Sequence, residues 1–400
     1  MSMTSASRHT AASVLAAPDT ASGGMASGAV TLRSARSTGG IALVLHDLRG
    51  GGAERACLRL VRGMVQAGEA VDLILVRGEG AYLRDVPGEA TLTVLDAPRV
   101  SRAILPLAAH LRATQPRAVL SALTHTNLAT IVAARLSGIN ARIVVSERNQ
   151  ISAKALSARG WWQRSLYRAV PLAYRFADKV VAVSDGVAAD LAHFGGLSSN
   201  KVGTIHNPVF EAGIEELSRA EPSHPWFAPG DPPVILGVGR LHRQKGFDVL
   251  LDAFAHARAQ TDCRLVLLGE GEERARLTER ANALGLAYDI DMPGFCANPF
   301  ALMARAGCFA LSSRWEGFPN VLVEAMACGA PVVATDCPSG PREILHGITP
   351  LVPVDDARAL GEAMLAALRS PPDRQAVRAR ARSFSVGAAT QRYLAVLEGA

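Results

Sequence analysis

The chain has little of the material from which several classes of protein are built. Aromatic residues make up only 5% and charged residues only 20% of its 400 positions. No tract interleaves basic with aromatic side chains as a base-stacking platform would, and no zinc-finger spacing occurs, so nucleic acid is not expected as a partner. The six cysteines, Cys57, Cys263, Cys296, Cys308, Cys328 and Cys337, form no C-x-x-C pair. They read as reduced, buried small residues of a cytoplasmic protein rather than as a disulfide framework. No apolar run has the length needed to span a bilayer. Gly269-Glu270-Gly271 begins like a dinucleotide fingerprint, but position 274 is Arg, and no glycine fingerprint is followed by a ribose-binding acid at the NAD spacing. The first 38 residues are almost free of acids and rich in Ala, Ser, Thr and Gly. Their apolar piece, Val14 to Ala17, is too short for a secretory core, so a disordered extension, or a start site assigned too early, is expected over 1–38.

What is present is the rhythm of a doubly wound parallel sheet, given twice. Ile41 to His46 reads as a first strand, Asp47 to Gly52 as a glycine-rich turn and Ala53 to Ala67 as the helix after it. Apolar runs at Val71 to Val76, Leu92 to Leu95, Ala118 to Ala122, Ile143 to Ser146, Val180 to Val183 and Val202 to Ile205 alternate with helical stretches. His206-Asn207-Pro208 closes a first domain, 39–208, and a proline-rich polar linker follows over 209–233. Val234 to Arg240 opens a second domain, expected over 234–384. A last helix from about Ser385 is expected to cross back to the first domain, over 385–400. The hydrophobic share of 49% supports a core in each domain. The formal charge of +6 favours an acidic partner: nucleotide phosphates, a pyrophosphate-linked lipid or an anionic membrane surface.

Chemistry concentrates between Cys308 and Gly329. Cys308-Phe309-Ala310-Leu311 reads as a buried strand, Ser312 to Phe318 as a loop, and Pro319 suits the first turn of a helix because it lacks only an N–H left unpaired there. Gly329 stops that helix. Backbone N–H groups between Gly317 and Val321 then point out of a helix N-terminus at the C-terminal edge of a parallel strand, where anionic or polyhydroxyl ligands bind. Glu316 and Glu324, separated by seven residues, face the same crevice. Arg240 ends one strand and Lys245 begins the next helix, so two cations can grip a diphosphate from one side. Gly50-Gly51-Gly52 lets backbone approach a ligand without Cβ interference. His125 and Glu147-Arg148-Asn149 fall in loops opening on the crevice, where a capping role accounts equally well for each taken singly.

Lys154 to Lys179 mixes Lys154, Arg159, Arg164, Arg168, Arg175 and Lys179 with Trp161, Trp162, Tyr167, Leu172, Tyr174 and Phe176. Such a helix suits the interface of an anionic membrane, and it equally suits a helix that buries its aromatics in the core and exposes its arginines. Asp289-Ile290-Asp291 has the look of a metal-holding D-x-D, but it lies within a short strand, and no metal site is assigned.

From about Ile41 to the C-terminus the chain resembles the retaining glycosyltransferases of family 4, also called glycosyl transferases group 1. The resemblance is carried by Glu316-Gly317-Phe318-Pro319-Asn320, Glu324-Ala325-Met326-Ala327-Cys328-Gly329, Gly239-Arg240-Leu241 with Lys245-Gly246, and Gly51-Gly52-Ala53-Glu54-Arg55. It implies the α/β GT-B fold, two Rossmann-like doubly wound parallel-sheet domains facing across a cleft. Glu324 would bind the ribose of a nucleotide sugar, with Glu316 beside the donor sugar. Arg240 and Lys245 would hold the diphosphate. Gly294 and Phe295 would lie near the base, with Gly51 and Gly52 facing the donor. His125, Arg148 and Asn149 would be acceptor-side residues.

Ser146-Glu147-Arg148-Asn149 resembles a subgroup that builds bacterial surface glycans. The expected activity is hexosyl transfer, with retention, from a UDP- or GDP-sugar to a glycan or polyprenyl-pyrophosphate-linked acceptor in polysaccharide or lipopolysaccharide biosynthesis. It would need no cofactor or metal, and would take place in the cytoplasm or on the inner face of the membrane. Gly307, where the family has an acid, and the short His346 to Thr349 loop depart from the pattern and bear on subgroup. A GT-B-fold epimerase or phosphorylase, or a binding module without turnover, stays open at this point.

Overall fold

Runs of Val, Ile and Leu with no polar alternation form strands where both faces of a sheet are covered. In the computed structural model, which describes residues 39–157 and 160–399, they do so twice. Residues 1–38 and Arg159 lie outside the described residues. β1 (Ile41–Leu45), β2 (Val71–Leu75), β3 (Thr91–Val94), β4 (Ala118–Ala122), β5 (Arg142–Glu147), β6 (Lys179–Ala182) and β7 (Val202–Thr204) pair in parallel in the order β3-β2-β1-β4-β5-β6-β7. β8 (Val234–Val238), β9 (Arg264–Leu268), β10 (Ile290–Gly294), β11 (Cys308–Leu311), β12 (Val332–Thr335) and β13 (Leu351–Val352) form a second parallel sheet in the order β10-β9-β8-β11-β12-β13.

Strand order reverses between β1 and β4 and again between β8 and β11. The loops leaving those strands part company there, and a crevice opens at their C-terminal ends. The turn before the helix Gly52–Gln66 and the start of the helix Thr124–Ser137 flank the first crevice. Gly239 to Lys245 and Ser312 to Pro319 flank the second.

The chain crosses between the domains twice, side by side. Val209 and Phe210 N–H groups donate to Phe384 O, both at 3.0 Å, and Val386 N–H donates to Phe210 O at 3.1 Å. After the second crossing the helix Val386–Glu398 lies on the first domain: Tyr393 is fully buried with its hydroxyl 3.2 Å from Ser146 Oγ, and Arg142 Nε donates to Val396 O at 2.6 Å. The proline-rich connection is less irregular than its composition suggests. It carries the helix Gly213–Arg219, whose end is tied to the second domain where Asn298 Nδ2 donates to Leu217 O at 2.9 Å.

The basic, aromatic stretch divides rather than forming one helix. Ile151–Ser157 and Trp161–Tyr174 are separate helices. Tyr167, Val170 and Tyr174 turn inward, while Trp161, Leu172 and Phe176 are 66%, 62% and 51% exposed. Of the cysteines, all are free, and Cys296 is half-buried where burial was expected.

Glu147, expected in the loop after its strand, is instead the last residue of β5 and is completely buried. Its carboxylate accepts from Tyr174 OH at 2.7 Å, from Thr124 Oγ1 at 3.0 Å and from Arg148 N–H at 3.1 Å. Burial pushes this carboxyl above the ordinary Glu range, against the opposing pull of Lys154 and of the Tyr174 and Thr124 hydroxyls. Because the folded pKa lies above the unfolded one, the group's contribution to stability is full below the ordinary value of 4.5 and is lost as pH rises through the raised folded value. Glu147→Gln removes that titration. Its melting temperature relative to wild type should climb as pH rises from acid toward neutrality; a difference that stays flat or falls, in thermal denaturation across that range, contradicts the assignment.

Candidate functional site

Glycines let the two loops that flank the second crevice pack closely against each other. Gly246, in the left-handed region at φ 61°, sits where a Cβ would lie 2.1 Å from Ser312 O, so the helix Phe247–Arg258 can start against the motif loop only with glycine there. Ser312 Oγ donates to Lys245 O at 2.8 Å and fixes the same junction. Lys245 is thereby aimed at Glu316: Nζ to Oε1 is 2.6 Å, and Ser313 Oγ donates to that oxygen at 2.7 Å. Glu316 is buried. The stem of Lys245 lies against Gly239, where a Cβ would come within 3.2 Å of Cε. Arg240, the next residue, is exposed, and its side chain makes no hydrogen bond or ion pair with the described residues. One cation of the expected diphosphate grip is therefore held by a carboxylate, and the other is free.

The helix after the motif loop runs Asn320–Ala327, with Pro319 just before it rather than in its first turn. Glu324 is buried one turn inside. Its Oε1 accepts from Arg59 Nη1 at 3.1 Å and lies 3.7 Å from Arg55 Nη1, both on the helix Gly52–Gln66 of the first domain. Arg59 also donates from Nε to Glu211 Oε1 at 2.8 Å. Burial opposes its charge, but Glu324 and Glu211 outweigh that and hold the guanidinium above the usual Arg range.

Asn320 bridges the domains, with Nδ2 donating to Gly52 O and Oδ1 accepting from Asn207 Nδ2, each at 2.8 Å. Phe318 is buried against His206, ring centroids 5.4 Å apart, and against Phe384 at the same distance, so it shapes the loop from behind. Pro319 packs under Gly340. Gly294, at φ 89°, ends β10, and the Phe295 ring beyond it is 76% exposed, free to meet a planar partner.

On the facing side Gly51 precedes the helix as its N-cap, and Gly52 lies against Asn320. Leu123, which joins β4 to the next helix, adopts φ 77°. A leucine in that region costs about 1–3 kcal/mol, strain of the kind that gathers at functional sites. It turns His125 outward, edge-on to Tyr167 with centroids 6.2 Å apart. Desolvation, with Lys154 and His46 nearby, pushes His125 below the ordinary His range.

Arg148 does not line an open acceptor wall. It is buried, with Nη1 donating to Asn207 Oδ1 at 2.6 Å and Nη2 to Cys57 Sγ at 3.3 Å, because its own carbonyl is pressed against Gly317 of the second domain. Asn149, next to it, is half-buried.

Sequence reasoning passed over Arg59, Arg62, Asn207, Glu211 and Ser313. The first two carry a readable signal: Arg55, Arg59 and Arg62 recur at i, i+4 and i+7 and so share a helix face. Asn207 and Glu211 carry none, because only the interdomain crossing brings them to the motif. Asp185, His206 and Glu343 have spacing suited to a metal among the described residues. Glu343 is already engaged there by the Asp185 and Gly186 N–H groups at 2.7 and 3.1 Å and by His206 Nε2 at 3.1 Å.

Residues 50–212 match the model of the Glycosyltransferase Family 4 domain, and residues 218–384 match that of Glycosyl transferases group 1. Among curated proteins, the chain is 33% identical over 218 residues to the N-acetylgalactosamine-N,N'-diacetylbacillosaminyl-diphospho-undecaprenol 4-alpha-N-acetylgalactosaminyltransferase of Campylobacter jejuni, covering 54% of this chain and 57% of that one. It is 28% identical over 293 residues to the lipopolysaccharide core biosynthesis glycosyltransferase LpsE of Rhizobium meliloti, covering 72% and 77%. The chain spans about half the length of the first curated relatives it matches. Among solved structures, Anabaena Alr3699/HepE in complex with UDP-glucose superposes with a TM-score of 0.74 at 19% identity over 90% of this chain and 99% of that one. WaaG, a glycosyltransferase involved in lipopolysaccharide biosynthesis, does so with 0.70 at 18% over 90% and 100%. These likenesses at low identity establish the fold, which is GT-B as the motifs implied. With one family model over each domain and that fold over nine-tenths of its length, the chain belongs to the GT-B-fold glycosyltransferases.

Proposed function

We propose that the protein transfers a hexosyl group, with retention, from a UDP- or GDP-sugar to a hydroxyl of a glycan or lipid-linked glycan during surface polysaccharide or lipopolysaccharide assembly. The observation that carries this reading is the cluster at the second crevice: Lys245 on Glu316 at 2.6 Å, the exposed Arg240 beside them, and the buried Glu324 one helix turn on. In the reaction the bond from the anomeric carbon to the diphosphate breaks with its electrons going to the diphosphate, the acceptor oxygen bonds to that carbon, and the hydroxyl proton passes to the departing diphosphate oxygen. Charge builds on the leaving diphosphate, so cations fixed beside it lower the barrier. Arg240 and Lys245 fill that role, with Lys245 moving its share of charge from Glu316 to the phosphates. Glu324 receives the ribose hydroxyls, and Gly294 and Phe295 border the base.

Gly317, Gly52 and Asn320 bring the domains together and exclude water that would hydrolyse the donor, with Gly51 facing the donor. The acceptor is held by the first domain near His125 and Asn149. Arg148 acts from behind, as a strut. Neither a metal nor an organic cofactor enters this scheme. The Campylobacter relative, whose name specifies a diphospho-undecaprenol acceptor, supports an isoprenoid pyrophosphate as acceptor carrier here.

Among the described residues no helix is long and apolar enough to cross a membrane. Trp161, Leu172 and Phe176 nevertheless stand exposed beside the exposed Arg168 and Arg175. We assign this face to an anionic membrane, at the cytoplasmic leaflet where a lipid-linked acceptor is presented.

Two outcomes are expected. With an acceptor present, Arg240→Ala and Lys245→Ala should each lower kcat by about 10²–10³, while Glu324→Ala should mainly weaken nucleotide binding; nucleoside diphosphate release that is the same in all three variants as in wild type removes the site assignment. In vesicle co-sedimentation the wild type should bind phosphatidylglycerol vesicles and release them at high salt, and Leu172→Ser with Phe176→Ser should lose most of that binding. Equal binding to neutral vesicles, or none to either kind, contradicts the membrane assignment.

A further inference from the structure

Helix Gly52–Gln66 sets Arg55, Arg59 and Arg62 along one face, directed out of the first domain. The three differ in what they do. Arg62 donates to Glu211 Oε2 at 3.1 Å and remains partly exposed. Arg55 is anchored by Tyr82, with Nη2 donating to its hydroxyl at 2.6 Å and the guanidinium stacked 5.1 Å from the ring centroid. Its approach to Glu324 is the looser one, at 3.7 Å. Arg59 is inserted: with 4% of its side chain exposed, it joins Glu211, on the interdomain crossing, to Glu324, 3% exposed, on the motif helix.

The geometry at Glu324 is one-sided. Both arginines address Oε1, and Oε2 accepts no hydrogen bond from any described residue. A planar guanidinium satisfies a purely structural carboxylate partner best with two parallel bonds. Here it makes one, and the second oxygen is left over. Burying a carboxylate without a cation beside it is costly, and here the cation comes from the other domain.

We propose that Arg59 is a positioning residue of the donor site. It holds Glu324 by one oxygen and presents the other to the 2′- and 3′-hydroxyls of a nucleoside diphosphate, so that full ribose recognition is assembled by domain closure. This rests on the reading of Glu324 as the ribose carboxylate. Glu211 anchors the guanidinium and orients it, and Arg59 itself does not touch the ligand.

The test is calorimetric titration of UDP and of 2′,3′-dideoxy-UDP into wild type, R59Q, R59K, E324Q and the R59Q/E324Q double variant. Wild type should prefer UDP at least about tenfold. R59Q should weaken UDP by about tenfold or more and leave the dideoxy compound within about threefold, so that the preference collapses. R59K, which keeps the charge without the planar fork, should restore part of it. Adding R59Q to E324Q should change UDP affinity by less than about twofold, since the pair acts as one unit.

If E324Q binds UDP as wild type does, the donor reading of Glu324 fails. If E324Q weakens UDP but R59Q does not, or R59Q weakens both ligands equally, the role given to Arg59 falls and the donor reading stands. Should R59Q not fold, E211Q loosens the other end of the same guanidinium and is expected to lower the UDP preference by about threefold. An unchanged preference there overturns the proposal.

Discussion

Gly317 and Arg148 meet main chain to main chain, with no side chain between them: a Cβ on Gly317 would stand 2.0 Å from the Arg148 carbonyl oxygen. Each lies at the C-terminal edge of its own parallel sheet, in a loop that follows β11 in one domain and β5 in the other. That approach sets the distance between the two crevices. It places Glu316 immediately before the contact and Asn320 just after it, where its amide can reach both Gly52 and Asn207. It also buries Arg148, which then serves as part of the wall. Any larger residue at 317 would hold the domains apart, and the pairing of Arg59 with Glu324 would open with them.

Around this contact, charge is arranged in pairs that each keep something in reserve. Lys245 and Glu316 neutralise one another at 2.6 Å. Arg59 and Glu324 do the same across the interface, with one carboxylate oxygen uncommitted. Arg240 has no partner among the described residues. A buried ion pair contributes little to stability on its own account, because the desolvation of both charges offsets their attraction. Its value here is geometric. A ligand with two phosphates and a vicinal diol can take over contacts that already exist, without requiring new charges to be buried.

The fold was legible because parallel strands covered on both faces must be continuous apolar runs, and those runs are separated by turns at regular intervals. Every strand of the first sheet falls within a residue or two of the run that announced it. The halves of the site carried by local motifs were legible for a similar reason: Lys245-Gly246 needs glycine at a left-handed turn, and Glu316-Gly317 needs it at a close approach. Partnerships across the cleft were not. That Glu324 meets Arg59, 265 positions away in sequence, depends on how two separate sheets dock, and no period or spacing encodes docking. Arg148 was misplaced toward the acceptor for that reason. Glu147 was misplaced into a loop because a terminal carboxylate looks like a turn residue until Tyr174 and Thr124 are found beside it. The aromatic helix remained ambiguous for want of any local rule that separates an inward Tyr174 from an outward Phe176.

The assignment on which the rest depends is that of a nucleoside diphosphate to the second crevice. It is tested most directly by thermal unfolding of the wild-type protein in the presence of UDP, GDP, ADP or NAD at equal excess. At about a hundred times its dissociation constant a specific ligand adds roughly 2.7 kcal/mol, a shift of several degrees. UDP or GDP should give that shift and NAD none. Stabilisation by NAD, or by none of the four, would contradict the assignment.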